Sequence, residues 1–150
     1  MKNIFNAQVV SEIVSRINKL NPSTQPQWGK MSVGQMLAHC NITYEMVYDN
    51  IHQKPNAFVK LMLKLFVKSK VVGESSYQKN GQTAPQFIIK EDKNFNIEKE
   101  RLIAYLQKTQ GLGEGYFEGR ESHSFGKLTV TEWNNMFYKH IDHHLRQFGV

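Results

Sequence analysis

Apolar residues recur along this chain at helical spacing in five segments separated by polar or glycine-rich stretches. The first covers about residues 6–20, where Val10, Ile13, Val14, Ile17 and Leu20 fall on one face. Asn21-Pro22 ends it, because proline disfavours the helical conformation in the residue before it. The second starts at Ser32, where Ser32-Val33-Gly34-Gln35 has the form of a capping box, and runs to about Asn50. Its core face holds Val33, Met36, Leu37, Cys40, Tyr44, Val47 and Ile51; His39 sits on the flank, beside Met36, Thr43 and Met46. The third, residues 57–70, is short, apolar and basic, with Phe58, Leu61, Met62, Leu65 and Phe66 on a common face. The fourth begins near Asn96 and stops at Gly111, turning Leu102, Tyr105 and Leu106 inward. A second capping box, Thr129-Val130-Thr131-Glu132, launches the last helix over residues 131–148.

The connections carry information too. Residues 73–93 form a long polar stretch with one short apolar run, Phe87-Ile88-Ile89, readable as a strand or a buried loop segment. A connection of this length is uncommon in a compact domain and often functional. Residues 111–126 contain five glycines and read as a loop. These elements predict an all-α fold: a four-helix bundle with a short extra helix in a long inter-helix connection, forming one domain over residues 1–150.

The last helix also carries the most informative chemistry. At about 100° per residue, Trp133, Met136, Phe137, His140, Ile141, His144 and Phe148 share a face, while Asn135, Lys139, Asp142 and Arg146 take the opposite side. His140 and His144 therefore stand one turn apart within an apolar stripe. Burying imidazoles without partners is costly. A divalent ion relieves that cost, because side chains at i and i+4 point at a common spot. The other reading is a pair of neutral histidines hydrogen-bonded to Tyr44, Tyr105 or Glu45. A third ligand should come from a facing helix, and His39 is the only histidine in another strong helical pattern. Three histidines leave a coordination position open, and neutral imidazole suits zinc, nickel or iron(II). His143 lies beside the stripe as a candidate proton-transfer or supporting group. His52 reads as a solvated helix-end residue, His123 as part of a loop over a pocket, and Cys40 as a small packing residue.

Composition narrows the picture. The 150 residues are 40% hydrophobic, enough for a folded core, and no apolar run approaches the roughly 20 residues of a membrane span. The single cysteine and an N-terminus without a signal-peptide pattern lead to the expectation of a cytoplasmic protein. The net charge of +6 is scattered apart from Lys60, Lys64, Lys68 and Lys70. It does not favour nucleic acid as a partner, since no nucleic-acid-binding signature accompanies it.

Three stretches, Trp28-Gly29-Lys30-Met31, Met36-Leu37-Ala38-His39 and His140-Ile141-Asp142-His143-His144-Leu145-Arg146-Gln147-Phe148-Gly149, together with a looser one, Phe95-Asn96-Ile97-Glu98-Lys99-Glu100-Arg101, resemble the DinB-like (YfiT-like) superfamily of four-helix-bundle metalloproteins, and within it a branch of unknown function. One departure is that Ser122-His123-Ser124 precedes Phe125-Gly126 where many members of the branch carry His-Pro. The resemblance implies that His39, His140 and His144 bind a divalent metal, zinc or nickel in the first place and iron in some relatives. It also implies a small-molecule thiol as co-substrate and, by analogy, a homodimer.

The leading expectation is a metal-dependent enzyme that transfers a low-molecular-weight thiol to an electrophile. His143 or Glu45 would move protons, and lysines of the short helix would attract an anionic substrate. Metal-dependent hydrolysis is the second expectation. The third is a non-catalytic metal-binding stress-response protein using the same histidines.

Overall fold

Six α-helices carry the chain in a computed structural model that describes residues 1–150. Helix α1 (Ala7–Asn18) is capped by Asn6, whose side chain accepts from the backbone N–H groups of Gln8 and Val9. Helix α2 (Val33–Tyr48) begins with the capping box read from Ser32 and Gln35. Helices α3 (Ala57–Phe66) and α4 (Lys68–Val72) follow, then a single 3-10 turn at Pro85–Phe87. Helix α5 spans Phe95–Phe117 and helix α6 spans Val130–Gln147, the latter capped by Thr129 and Glu132 as the sequence indicates. Between them, β1 (Glu121–Ser122) pairs antiparallel with β2 (Gly126–Lys127) in a two-stranded ladder. The fold is all-α apart from that small ladder. No helix is long and apolar enough to cross a membrane.

The four long helices share one core. Helix α5 packs on α1, α2 and α6, and α6 also touches α1 and α2. Ile13 and Ile17, Met36 and Leu37, Leu102 and Leu106, and Trp133, Phe137 and Ile141 meet there, each almost fully buried. Helix α2 is the most enclosed. From Val33 to Glu45 every residue but Gln35 is buried, so its polar residues Asn41, Thr43 and Glu45 are interior as well. A one-face reading misses this, because polar residues in an enclosed helix mark partners rather than solvent. Asn41 donates to the Glu98 backbone carbonyl at 3.0 Å and to its carboxylate at 2.8 Å. Ile51, expected in the core, lies beyond the helix end and is 67% exposed.

Three further expectations change. Gly111 does not end the fourth helix: α5 continues to Phe117, with one non-helical residue, Gly113, at φ 70°. Phe117 is the reason, since its ring is fully buried against Phe5, Trp133 and Phe137 and draws the segment back onto the core. Gly111 lies in the helix and Gly113 at the kink, and a Cβ at either would meet open space. Gly111→Ala should therefore stabilise the protein by about 0.5–1 kcal/mol. Gly113→Ala should destabilise it by about 1 kcal/mol, because a positive φ is strained for alanine. Urea denaturation of the two variants checks the opposite signs.

The third segment breaks into α3 and α4 at Val67, and α3 buries none of its residues. Phe58 and Phe66, read on one apolar face, are 70% and 68% exposed. The polar side of α6 is also not solvent-facing throughout. Asn135 and Lys139 are buried where α4 packs on α6. Asn135 donates to the Val72 carbonyl at 3.0 Å, and the Lys139 ammonium donates to the carbonyls of Lys70 at 2.8 Å and Gly73 at 2.6 Å. Those carbonyls lie at the C-terminal end of α4, where a helix has no acceptors of its own satisfied. Lys139 and Asn135 thus fix the point from which residues 73–93 depart. The Phe87-Ile88-Ile89 run forms no strand; Phe87 ends the 3-10 turn, and the run stays near the surface.

Candidate metal centre

Three histidines converge where α2 and α6 face each other. His39 comes from α2; His140 and His144 come from successive turns of α6. The Nε2 atoms of His39 and His140 are 2.9 Å apart. The ring centroids of His39 and His144 lie 4.5 Å apart, and those of His140 and His144 lie 4.9 Å apart. One nitrogen from each ring can be chosen so that all three lie within 4.8 Å of one another. Nitrogens bound tetrahedrally to a zinc-sized ion at about 2.0–2.1 Å sit roughly 3.3 Å apart, within the range this cluster spans, so the three histidines could hold such an ion.

The other nitrogen of each ring is held from outside. His39 Nδ1 is 2.8 Å from the Phe87 carbonyl oxygen. A carbonyl only accepts, so Nδ1 carries the proton and Nε2 keeps its lone pair. His144 Nδ1 is 2.8 Å from Gln147 Oε1. The Gln147 amide is oriented because its Nε2 donates to the Trp28 carbonyl at 2.7 Å, so Oε1 must be the atom facing His144. His144 Nδ1 therefore donates as well, and its Nε2 keeps a lone pair. His140 Nδ1 is 3.0 Å from the Thr43 hydroxyl. A hydroxyl donates or accepts, so Thr43 serves either tautomer: with Nε2–H pointing at His39, or with Nε2 free for an ion. Such outer hydrogen bonds are what orients histidines at metal sites and fixes their tautomers.

Electrostatics favour the neutral form of all three. Burial lowers the pKa of His39; burial, followed by its histidine neighbours, takes His140 well below the ordinary value. Burial and then the charge of His39 push His144 down to about 3. Neutral imidazoles offer lone pairs to an ion without proton competition near pH 7.

The sequence-derived candidates divide clearly. His39, His140 and His144 come together. The alternative partners Tyr44, Tyr105 and Glu45 are not their hydrogen-bond partners. Glu45 instead pairs with Arg101 and accepts from His52 Nε2 at 2.7 Å, and it does not line the cavity beside the histidines. Glu45→Ala should cost about 1–2 kcal/mol by leaving His52 without its acceptor and Arg101 with Glu98 alone, with metal affinity unchanged; urea denaturation beside a metal titration checks both. His52, read as a solvated helix-end residue, is thereby a structural partner. His143 is half-buried, packs edge-on to Trp28, Tyr77 and His144, and has no hydrogen-bond partner. Burial lowers its pKa too. His123 sits in the β1–β2 turn, with Nε2 3.3 Å from the His52 carbonyl and Nδ1 2.9 Å from the Ser124 hydroxyl. Cys40 is wholly buried, and burial raises its thiol well above the ordinary range, as befits a packing residue.

A cavity of about 660 Å³ lies against the three histidines and is also lined by His123 and His143. The 73–93 connection forms much of its cover, through Tyr77 and residues 80–84 and 86–89. Sequence reasoning missed Thr43, Gln147 and the Phe87 carbonyl as supports. Gln147 was detectable, since it lies one turn after His144, where side chains on a helix meet. The Phe87 contact was not, because a backbone carbonyl leaves no trace in composition. Gly29 is also explained: at φ 82° its missing Cβ leaves room for the Gln147 amide, which a side chain there would meet at 2.5 Å.

Fold and site thus define an all-α protein in which three close-set, largely buried histidines could hold a metal ion. The chain belongs to the DUF1569 family, described as proteins of unknown function, whose model matches residues 4–149. No curated protein and no solved structure matches it.

Proposed function

We propose that this chain is a metal-dependent enzyme acting on a small molecule. His39, His140 and His144 hold one divalent ion, zinc or nickel in the first place and iron(II) in the second. The observation that carries this reading is the arrangement around the three rings. Each has one nitrogen turned to the cluster and the other engaged by Phe87, Thr43 or Gln147, beside a cavity large enough for a substrate. A divalent ion held by three neutral ligands supplies a Lewis acid that lowers the pKa of a bound water or thiol toward neutrality.

The chain's own residues do the rest. Trp28, Tyr77 and His143 shape one wall, and the 73–93 connection shields the site from water. His143 is the candidate catalytic residue: its nitrogens are unpaired, it borders the cavity, and burial keeps it neutral and able to accept a proton. The reaction class that fits best is transfer of a low-molecular-weight thiol to an electrophile; metal-dependent hydrolysis is the alternative. A place for DUF1569 within the DinB-like superfamily fits the same three ligands, and with it a cytoplasmic, single-domain, homodimeric protein.

The test is turnover on panels of thiols with electrophiles, and of esters and amides, by metal-loaded and chelator-stripped protein. Metal-dependent turnover that falls by about 10²-fold or more in His143→Gln is the expected result. Stoichiometric metal with no turnover on either panel would replace this reading with that of a non-catalytic metal-binding protein.

A further inference from the structure

The charge lining of the cavity restricts what it can hold. No aspartate or glutamate lines it, and its only Lys or Arg is the exposed Lys30. The lysines of α3 and α4 do not reach it. Lys60 and Lys68 pair with Glu121 and Glu132, and Lys139 donates to the carbonyls that end α4. The short helices present a different chemistry inward: Leu63, Val67 and Val71 form one wall, facing a lining that includes Met46 from α2 and Met136 from α6. Methionine side chains adapt to ligands of varied shape.

Three imidazoles bring no negative charge to a divalent ion. With no carboxylate nearby, two positive charges would stand uncompensated in a site partly removed from water, an unfavourable state that an anionic ligand relieves. A second anionic group on that ligand would find only the exposed Lys30 within the lining, since Lys79 lies over the Trp28 ring and Lys139 over the Tyr77 ring rather than in the cavity wall, so a phosphate ester or dicarboxylate would bury a charge without a direct partner. The remainder of the ligand meets Leu, Val and Met side chains, where apolar surface gains most.

From the lining we infer that the cavity takes a small molecule with one anionic metal-ligating group, a thiolate or carboxylate, carried on an apolar body. This inference rests on the proposal that the three histidines hold a divalent ion. It differs from the sequence-based expectation of lysine-steered binding, since apolar contact rather than charge sets the selectivity.

Straight-chain carboxylates from acetate to octanoate serve as probes, titrated into the cobalt(II)-loaded full chain by calorimetry and visible absorption. The affinity should rise about three- to fourfold per added CH₂. Octanoate should shift the cobalt spectrum, while octanol, lacking the anion, and octanedioate, carrying a second one, should bind at least about tenfold more weakly. Affinity independent of chain length, octanedioate equal to octanoate, or octanoate binding without a spectral change would overturn the inference while leaving the metal site intact. A chain that takes up no cobalt would overturn the inference together with the metal reading, so the two failures are told apart by the metal titration that precedes the probes.

Discussion

His144→Ala is expected to abolish tight binding of a divalent ion while leaving a helical fold. The variant removes one of three nitrogens and also frees Gln147, whose amide is held between His144 and the Trp28 carbonyl. Loss of a residue that merely orients a ligand typically weakens metal binding 10–100-fold. Loss of the ligand itself should exceed that, giving a dissociation constant raised by more than about 10³-fold in competition with a chromophoric chelator. Thr43→Val and Gln147→Leu should fall in the smaller range, because each leaves three nitrogens in place. The ordering separates ligands from supports. An unchanged affinity in His144→Ala would remove this residue from the site.

The second large effect concerns pH. In the metal-free protein, His39, His140 and His144 all have pKa values below the ordinary 6.5, with burial as the first cause. The unfolded chain returns them to about 6.5 and so binds more protons than the folded one. Their contribution is therefore fully present above pH 6.5 and is lost as the pH falls, for His144 through a window from 6.5 to about 3. Each such histidine costs about 1.4 kcal/mol of stability per pH unit within its window. With total stabilities of about 5–15 kcal/mol, losses on this scale bring the metal-free protein markedly closer to unfolding as the pH falls below 6.5. Urea midpoints measured from pH 7.5 to 4.5 should drop steeply, and replacing the three histidines with glutamine should flatten the slope. A bound ion competes with protons and should move the loss to lower pH. A flat profile for the metal-free protein would show that the rings are not held neutral by burial.

Much of this was legible in the sequence, and the exceptions share a cause. Both capping boxes, the four long helices and the placement of His140 and His144 one turn apart follow from residue type and spacing, which are local. What failed depended on contacts between distant segments. Phe117 carries α5 past Gly111 because a ring buried against Phe5 and Trp133 outweighs a glycine's preference for a helix end. Lys139 and Asn135 look like solvent-facing residues until α4 is placed over them. The apolar face read for α3 leaves out Leu63, which lines the cavity, while Phe58 and Phe66 on that face are largely exposed. Within the site, His140 and His144 were visible from periodicity, and His39 as the only histidine in another strong helical pattern. Their supports were less so, because one is a loop carbonyl 48 positions from its histidine.

The most direct test is elemental analysis by mass spectrometry of the purified chain, prepared without a histidine tag. The account predicts about one equivalent of a divalent transition metal per chain, removable by chelation and restored on adding zinc or nickel. A chain that carries none, and takes up none when either ion is supplied at neutral pH, would contradict it.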